Sequence, residues 1–222
     1  MKKNKLEYRE EFPRLISKIE NMIILGVFQP RERLVEEDLA KRLAVSRAWI
    51  RDALKILETK GLVKMEPYKG AMVADLTQEE VNEIFQVRVA LERLCNKLAA
   101  DNFRPEHRIV LRDLAKRIEE AYAENRFDGM IQANTQFHDY ITQLSGNRFL
   151  IETLQQVRSR YYIFNTFAWS NPEMVKNIME EHNRYITALE EKDYETLDKL
   201  AESHISYSKT LYLNQIRHRG IV

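Results

Sequence analysis

The stretch that most constrains this chain is Leu34–Leu62, LVEEDLAKRLAVSRAWIRDALKILETKGL. Its apolar spacing predicts two short helices around a tight turn. Leu39, Ala40 and Leu43 share one face of a helix over Glu36–Leu43, and Ala44-Val45 makes the turn. Ser46 suits the N-cap of the second helix, because its hydroxyl can accept from an otherwise unpaired backbone N–H. Ile50, Ala53, Leu54 and Leu57 recur at i, i+3, i+4 and i+7, and Gly61 offers the left-handed residue that stops a helix. Arg47 and Arg51 stand four apart on the other face, near the helix N-terminus. In a recognition helix those positions meet base edges in the major groove, where arginine can bond guanine through two parallel hydrogen bonds. The same spacing also fits a solvated basic face on an ordinary helix pair.

The residues beyond Gly61 narrow the choice. Leu62–Glu66 reads as a short strand, Pro67–Gly70 as a turn and Ala71–Val73 as a second strand. Helix, helix, hairpin is the order of a winged helix-turn-helix. Lys69 at the wing tip is placed to meet a phosphate, and Gly70 to let the backbone approach closely. RLVEEDLAKRLAVSRAWIRDALKILETKGLV with a later PYKGAMV resembles the N-terminal module of GntR-family bacterial transcription regulators. That family's pattern is roughly L-x-E-x-x-L-A-x-x-L-x-V-S-R-x-x-V-R-x-A-L-x-x-L-x-x-x-G-L-V, then a P-x-x-G-A-x-V wing. The resemblance implies that Arg47, Arg51 and Gly70 are DNA contacts, and Ser46 and Lys69 are counted with them as candidates. Two residues depart from the pattern. Ile50 replaces a valine harmlessly, whereas Trp49 stands where many members have proline and either packs on the first helix or reaches the duplex.

Composition sets the frame around this module. A chain of 222 residues allows one or two domains, and 44% apolar residues suffice for real cores. The net charge of +1 is uneven: residues 1–76 carry 16 Lys+Arg against 12 Asp+Glu, and residues 77–222 carry 19 against 22. The basic excess lies where phosphate binding needs it, and it is small enough that a dimer would help. A lone cysteine, Cys95, excludes an internal disulfide framework and fits a cytoplasmic protein. The N-terminus MKKNKLEYREEF lacks the apolar run of a signal peptide, and no apolar stretch approaches membrane-spanning length.

A first helix is expected over Leu6–Leu25, with Phe12, Leu15, Ile16, Ile19, Met22 and Ile23 on the helical period and Gly26 as its stop. A domain boundary falls near Ala74–Thr77, where Thr77-Gln78-Glu79-Glu80 is a capping box for a long helix. The domains expected are therefore 1–76 and 77–222, closely coupled because no Gly/Ser linker separates them. The second reads as helices over about 77–103, 106–125, 128–145, 149–169, 173–191 and 194–217. Short connections between them mean an antiparallel bundle. The fold class is mainly α, a winged helix-turn-helix with a small β-hairpin wing and then this bundle.

Three of the five histidines, His138, His182 and His204, fall one on each of three bundle helices, and Asn134 lies one turn before His138. Neutral imidazole with an amide or carboxylate oxygen is a common donor set for zinc, nickel and similar ions. Scattered histidines are equally read as hydrogen-bonded core or surface residues, since no tight metal spacing is present. A second resemblance bears on them. VRVALE at 87–92, FHDYI with SGNRFL across 137–150, EHNRYI at 181–186 and AESH at 201–204 are similar to the FCD effector domain of one GntR subfamily. That resemblance implies a bundle with a cavity and a divalent metal held by Asn134, His138, His182 and His204. Asparagine in place of the commoner aspartate removes a negative charge and weakens the site. Arg88 either binds an effector carboxylate or pairs with Glu92 four residues on. Arg158, Arg160 and Tyr162 are further candidates to line an effector pocket.

The sequence therefore reads as a transcription regulator. It is expected to bind a pseudo-palindromic double-stranded operator as a homodimer, with a small organic acid acting through the bundle and repression as the expected direction. Two other classes compete. A metal-dependent enzyme fused to a DNA-binding module lacks support, since no Glu-x-x-His pair, P-loop, dinucleotide or Gly-x-Ser-x-Gly motif occurs. A DNA-binding protein without an effector is opposed by the histidine set if it converges.

Overall fold

The structure, a computed structural model, describes residues 5–24, 26–66, 70–165 and 172–218; the side chains of 5–10, 159–165, 172, 174 and 215–218 lie outside the description. The chain separates into two compact units, one over residues 1–76 and 159–163 and the other over 77–158 and 164–222.

The first unit runs α1 (Lys5–Ile24), β1 (Arg33–Leu34), α2 (Glu36–Leu43), α3 (Arg47–Thr59), β2 (Val63–Glu66) and β3 (Gly70–Val73). Its apolar faces close one core: Ile19 of α1, Leu39 of α2, Ile50, Leu54 and Leu57 of α3, and Val63 and Val73 of the wing are all buried. Burying a residue of this size contributes about 1.5–3 kcal/mol, so the spacing of α3 is sufficient reason for its docking. The hairpin is joined by a third strand that the sequence did not suggest. The two residues of β1 pair antiparallel with β3, Arg33 opposite Met72 and Leu34 opposite Ala71, giving the order β1-β3-β2. Two residues carry too little alternation to register as a strand.

Helix ends fall where capping chemistry directs. Ser46 accepts from the Trp49 backbone N–H at 3.3 Å. At the other end of α3, Gly61 has φ +74, its N–H meets the Glu58 carbonyl at 2.8 Å, and the Leu62 N–H meets the Leu57 carbonyl at 3.0 Å. That pair of bonds is the Schellman arrangement. Ala44, in the turn between α2 and α3, takes the left-handed conformation at φ 54 although it carries a Cβ.

The rest of the chain runs α4 (Gln78–Asp101), α5 (Pro105–Ala123), α6 (Phe127–Leu144), α7 (Arg148–Asn165), α8 (Pro172–Glu191) and α9 (Tyr194–His218), all in the second unit but for residues 159–163 of α7. Each agrees with an expected span to within a few residues, and 166–169, the expected end of α7, lies outside the described residues. The capping box opens α4: Glu80 N–H donates to the Thr77 hydroxyl at 3.2 Å, and Thr77 N–H donates to the Glu80 carboxylate at 2.8 Å. α4 packs on α6, α8 and α9, and α5 on α6 and α8. Cys95, Leu111, Phe137, Leu154 and Leu189 lie fully buried between them. No helix among the described residues is long and apolar enough to cross a membrane.

Candidate nucleic-acid interface and metal centre

On the first unit, α3 turns Arg47 and Arg51 outward, 61% and 54% exposed. Ser46 is exposed at the helix start and Gly70 at the start of β3. A groove of about 260 Å³ is lined by Arg33, Glu36, Glu37, Arg47 and Gly70, among others, so the recognition helix and the wing border one surface. Gly70 has φ +82 with nothing within 4 Å of where a Cβ would stand. The backbone conformation therefore requires the glycine. Lys69 lies outside the described residues. Trp49 takes the packing alternative, its ring meeting Phe12 of α1 edge-on at 5.9 Å. The ring is partly buried against the core of its own unit.

The sequence reading missed the acids that face these arginines. Arg51 donates through Nε to Glu36 Oε1 at 2.9 Å and through Nη2 to Glu36 Oε2 at 2.7 Å. Arg47 stands looser, 3.9 Å from Glu37. The hydrogen bond from Arg51 holds the Glu36 carboxyl below its ordinary value against the opposing effect of burial. The signal was present, since Glu36 occupies the fixed acidic position of the family pattern.

In the bundle, three helices bring the histidines together. His138 Nε2 of α6 lies 3.1 Å from His204 Nε2 of α9 and 3.3 Å from His182 Nε2 of α8. One ligand atom from each of the three falls within 4.8 Å of the others. A ring nitrogen is either a donor or an acceptor, so His138 Nε2 cannot complete two independent hydrogen bonds at once. Three lone pairs directed at one cation satisfy all of them. Bonds of about 2.0–2.1 Å to one ion place two nitrogens roughly 3 Å apart, which is the spacing here. Glu181 Oε2 lies 2.9 Å from His204 Nδ1, a contact that fixes the tautomer with Nε2 unprotonated. Burial, reinforced by the neighbouring imidazoles, keeps His138 and His182 neutral well below the ordinary histidine range. Asn134 is buried, and its Oδ1 has no hydrogen-bond partner among the described residues. A buried oxygen with no partner among the described residues, one helical turn before His138, together with three converging imidazoles, fits a divalent cation.

Next to this cluster lies a buried ion network. Glu92 receives Arg158 Nε at 2.9 Å and Nη2 at 2.7 Å, and Arg88 Nε at 3.3 Å. Arg158 Nη1 reaches Thr142 Oγ1 at 2.9 Å and Asp139 Oδ1 at 3.4 Å. Burial raises the Glu92 carboxyl, but the two arginines outweigh it and hold the group at about 2. Of the two readings of Arg88, the ion pair with Glu92 is thus present. Both edges of the Arg158 fork are engaged by Glu92, Thr142 and Asp139. The side chains of Arg160 and Tyr162 lie outside the described residues. Cys95 is a core thiol, pushed by burial up to about 12.

These two arrangements, an arginine-bearing winged helix-turn-helix and a helical bundle with converging histidines, point to the class of bacterial transcription regulators. Two family models match the chain: bacterial regulatory proteins of the gntR family over residues 13–73, and the FCD domain over residues 83–207. The chain belongs to the GntR family and carries an FCD domain, which makes it a DNA-binding transcription regulator and not an enzyme. Among curated proteins it is similar to the uncharacterized HTH-type regulator YdhC of Bacillus subtilis, 29% identical over 192 residues and 86% of each chain. It also resembles the gluconate operon transcriptional repressor of Bacillus licheniformis, 27% identical over 84% of this chain and 78% of the other. Among solved structures, McbR/YncC of Escherichia coli shares the fold with a TM-score of 0.80 at 21% identity, covering 92% of this chain and 97% of that one.

Proposed function

We propose that this regulator acts in the cytoplasm as a homodimer on a pseudo-palindromic operator, and that a small carboxylate bound in the bundle sets its affinity for DNA. Repression relieved by the ligand is the favoured direction. Arg47 and Arg51 would read bases, Ser46 and Gly70 would lie against the backbone, and Lys69 would add a phosphate contact. The observation that carries the ligand half of this reading is the convergence of His138, His182 and His204, with a buried Asn134 oxygen, unpartnered among the described residues, one turn before His138 on α6.

Asn134, His138, His182 and His204 would hold a zinc- or nickel-like ion. An ion held by four neutral donors keeps its full charge and attracts an anionic group. Within this chain, Glu181 orients His204, and Phe137 stacks near His182 with ring centres 4.3 Å apart. Arg88, near the cluster, adds positive charge that favours an anion. Ligand binding there would alter the spacing of the two recognition helices in a dimer and so their match to two half-sites.

The test is operator affinity, by fluorescence anisotropy on DNA selected by the protein itself, with zinc or nickel and a panel of small carboxylates. A carboxylate that changes affinity by roughly 5- to 150-fold, and loses its effect after chelation, supports the reading. Affinity indifferent to every metal and acid refutes it.

A further inference from the structure

The acid on α2 suggests how one base contact is aimed. Arg51 is exposed on α3, a long side chain with several rotatable bonds. Free, it would sample many orientations and lose that freedom on docking. Glu36, 20% exposed in the first turn of α2, grips it through Nε and Nη2 at 2.9 and 2.7 Å. A guanidinium is planar, with two edges that can each make a pair of parallel hydrogen bonds. The Nε/Nη2 edge is taken by the carboxylate. The second edge, formed by Nη1 and the remaining Nη2 hydrogen, has the geometry that meets guanine O6 and N7.

Resting on the reading of α3 as the recognition helix, we propose that Glu36 is a positioning residue for sequence readout: it fixes the plane of Arg51 and turns the Nη1/Nη2 edge toward a guanine in each half-site. Among the described residues Arg47 has no such clamp, its pair with Glu37 standing at 3.9 Å. The two arginines therefore differ in kind, Arg51 held before DNA arrives and Arg47 ordered on docking.

Electrostatics alone gives the opposite expectation. A negative group facing DNA repels phosphates, so its removal should strengthen binding to every sequence. The positioning role predicts instead a loss at one base pair. Full-length protein is assayed on its selected operator and on operators with each base pair replaced. Arg51→Ala identifies the pair it reads, expected to be a G·C whose discrimination of roughly 5- to 150-fold disappears. Glu36→Gln, close in size and partly exposed, should cut discrimination at that same pair by roughly 2- to 13-fold, equivalent to releasing one long side chain from a fixed rotamer. In the Arg51→Ala background Glu36→Gln should change discrimination there no further. Parental discrimination in Glu36→Gln, or an equal loss with and without Arg51, overturns the proposal alone. Parental discrimination at every position in Arg51→Ala overturns the recognition-helix reading as well.

Discussion

Replacing Glu92 by glutamine removes the charge that two buried arginines share. In the folded protein burial opposes that charge, yet Arg158 and Arg88 prevail and hold the carboxyl at about 2 against an ordinary value of 4.5. The difference corresponds to about 3 kcal/mol of stability at neutral pH. Breaking a buried pair by removing one partner costs about 3–5 kcal/mol, so two routes give the same magnitude. The folded-state value is below the unfolded one, so the contribution is complete above about pH 4.5 and is lost as pH falls toward 2. At pH 3 about 2 kcal/mol of it should have gone, calculated from those two values. Urea unfolding of parent and Glu92→Gln, monitored by helical circular dichroism, should show a gap of about 3 kcal/mol at pH 7 that narrows to about 1 at pH 3. Groups common to both proteins cancel in the difference. A gap below about 1 kcal/mol at pH 7, or one that stays constant on acidification, would refute the stabilising role of this network.

The geometry sets four further outcomes. Arg47→Ala should weaken specific binding by roughly 5- to 150-fold per site in an electrophoretic shift while leaving the unfolding midpoint unchanged, since Arg47 is exposed and loosely paired. His182→Ala should lower the metal content of purified protein measured by atomic absorption, and Glu181→Gln should weaken metal affinity by about 10- to 100-fold by freeing His204; unchanged content and affinity would remove these residues from the site. Ala44→Gly should stabilise the first unit by up to about 1 kcal/mol in thermal unfolding, because relief of the left-handed alanine, about 1–2 kcal/mol, exceeds the entropic cost of glycine, about 0.5–1 kcal/mol.

Local chemistry was the legible part of the sequence. Ser46, Gly61 and the Thr77/Glu80 box mark helix ends because their side chains or backbone freedom satisfy terminal groups within a few residues. Leu39, Ile50, Leu54 and Leu57 declare their faces by period. The family resemblance supplied the histidine set, which spacing alone left open, and the structure then brought those rings within reach of one another. Other partnerships were not legible. Glu36 with Arg51 and Glu92 with Arg158 join residues 15 and 66 positions apart, and no periodicity links them. The carboxylate partner of Arg158 was likewise hidden, since Glu92 lies on another helix. Trp49 was ambiguous because a large aromatic beside a recognition surface can face either way, and its contact with Phe12 is not written in any local spacing.

The DNA that the protein selects is the most direct measure of whether its winged helix reads sequence. Purified protein is mixed with fragmented genomic DNA, with and without divalent metal, and the retained fragments are footprinted. A short pseudo-palindromic site, protected on two half-sites about one helical turn apart, is the predicted result. Salt-sensitive retention with no preferred sequence under either condition would contradict it.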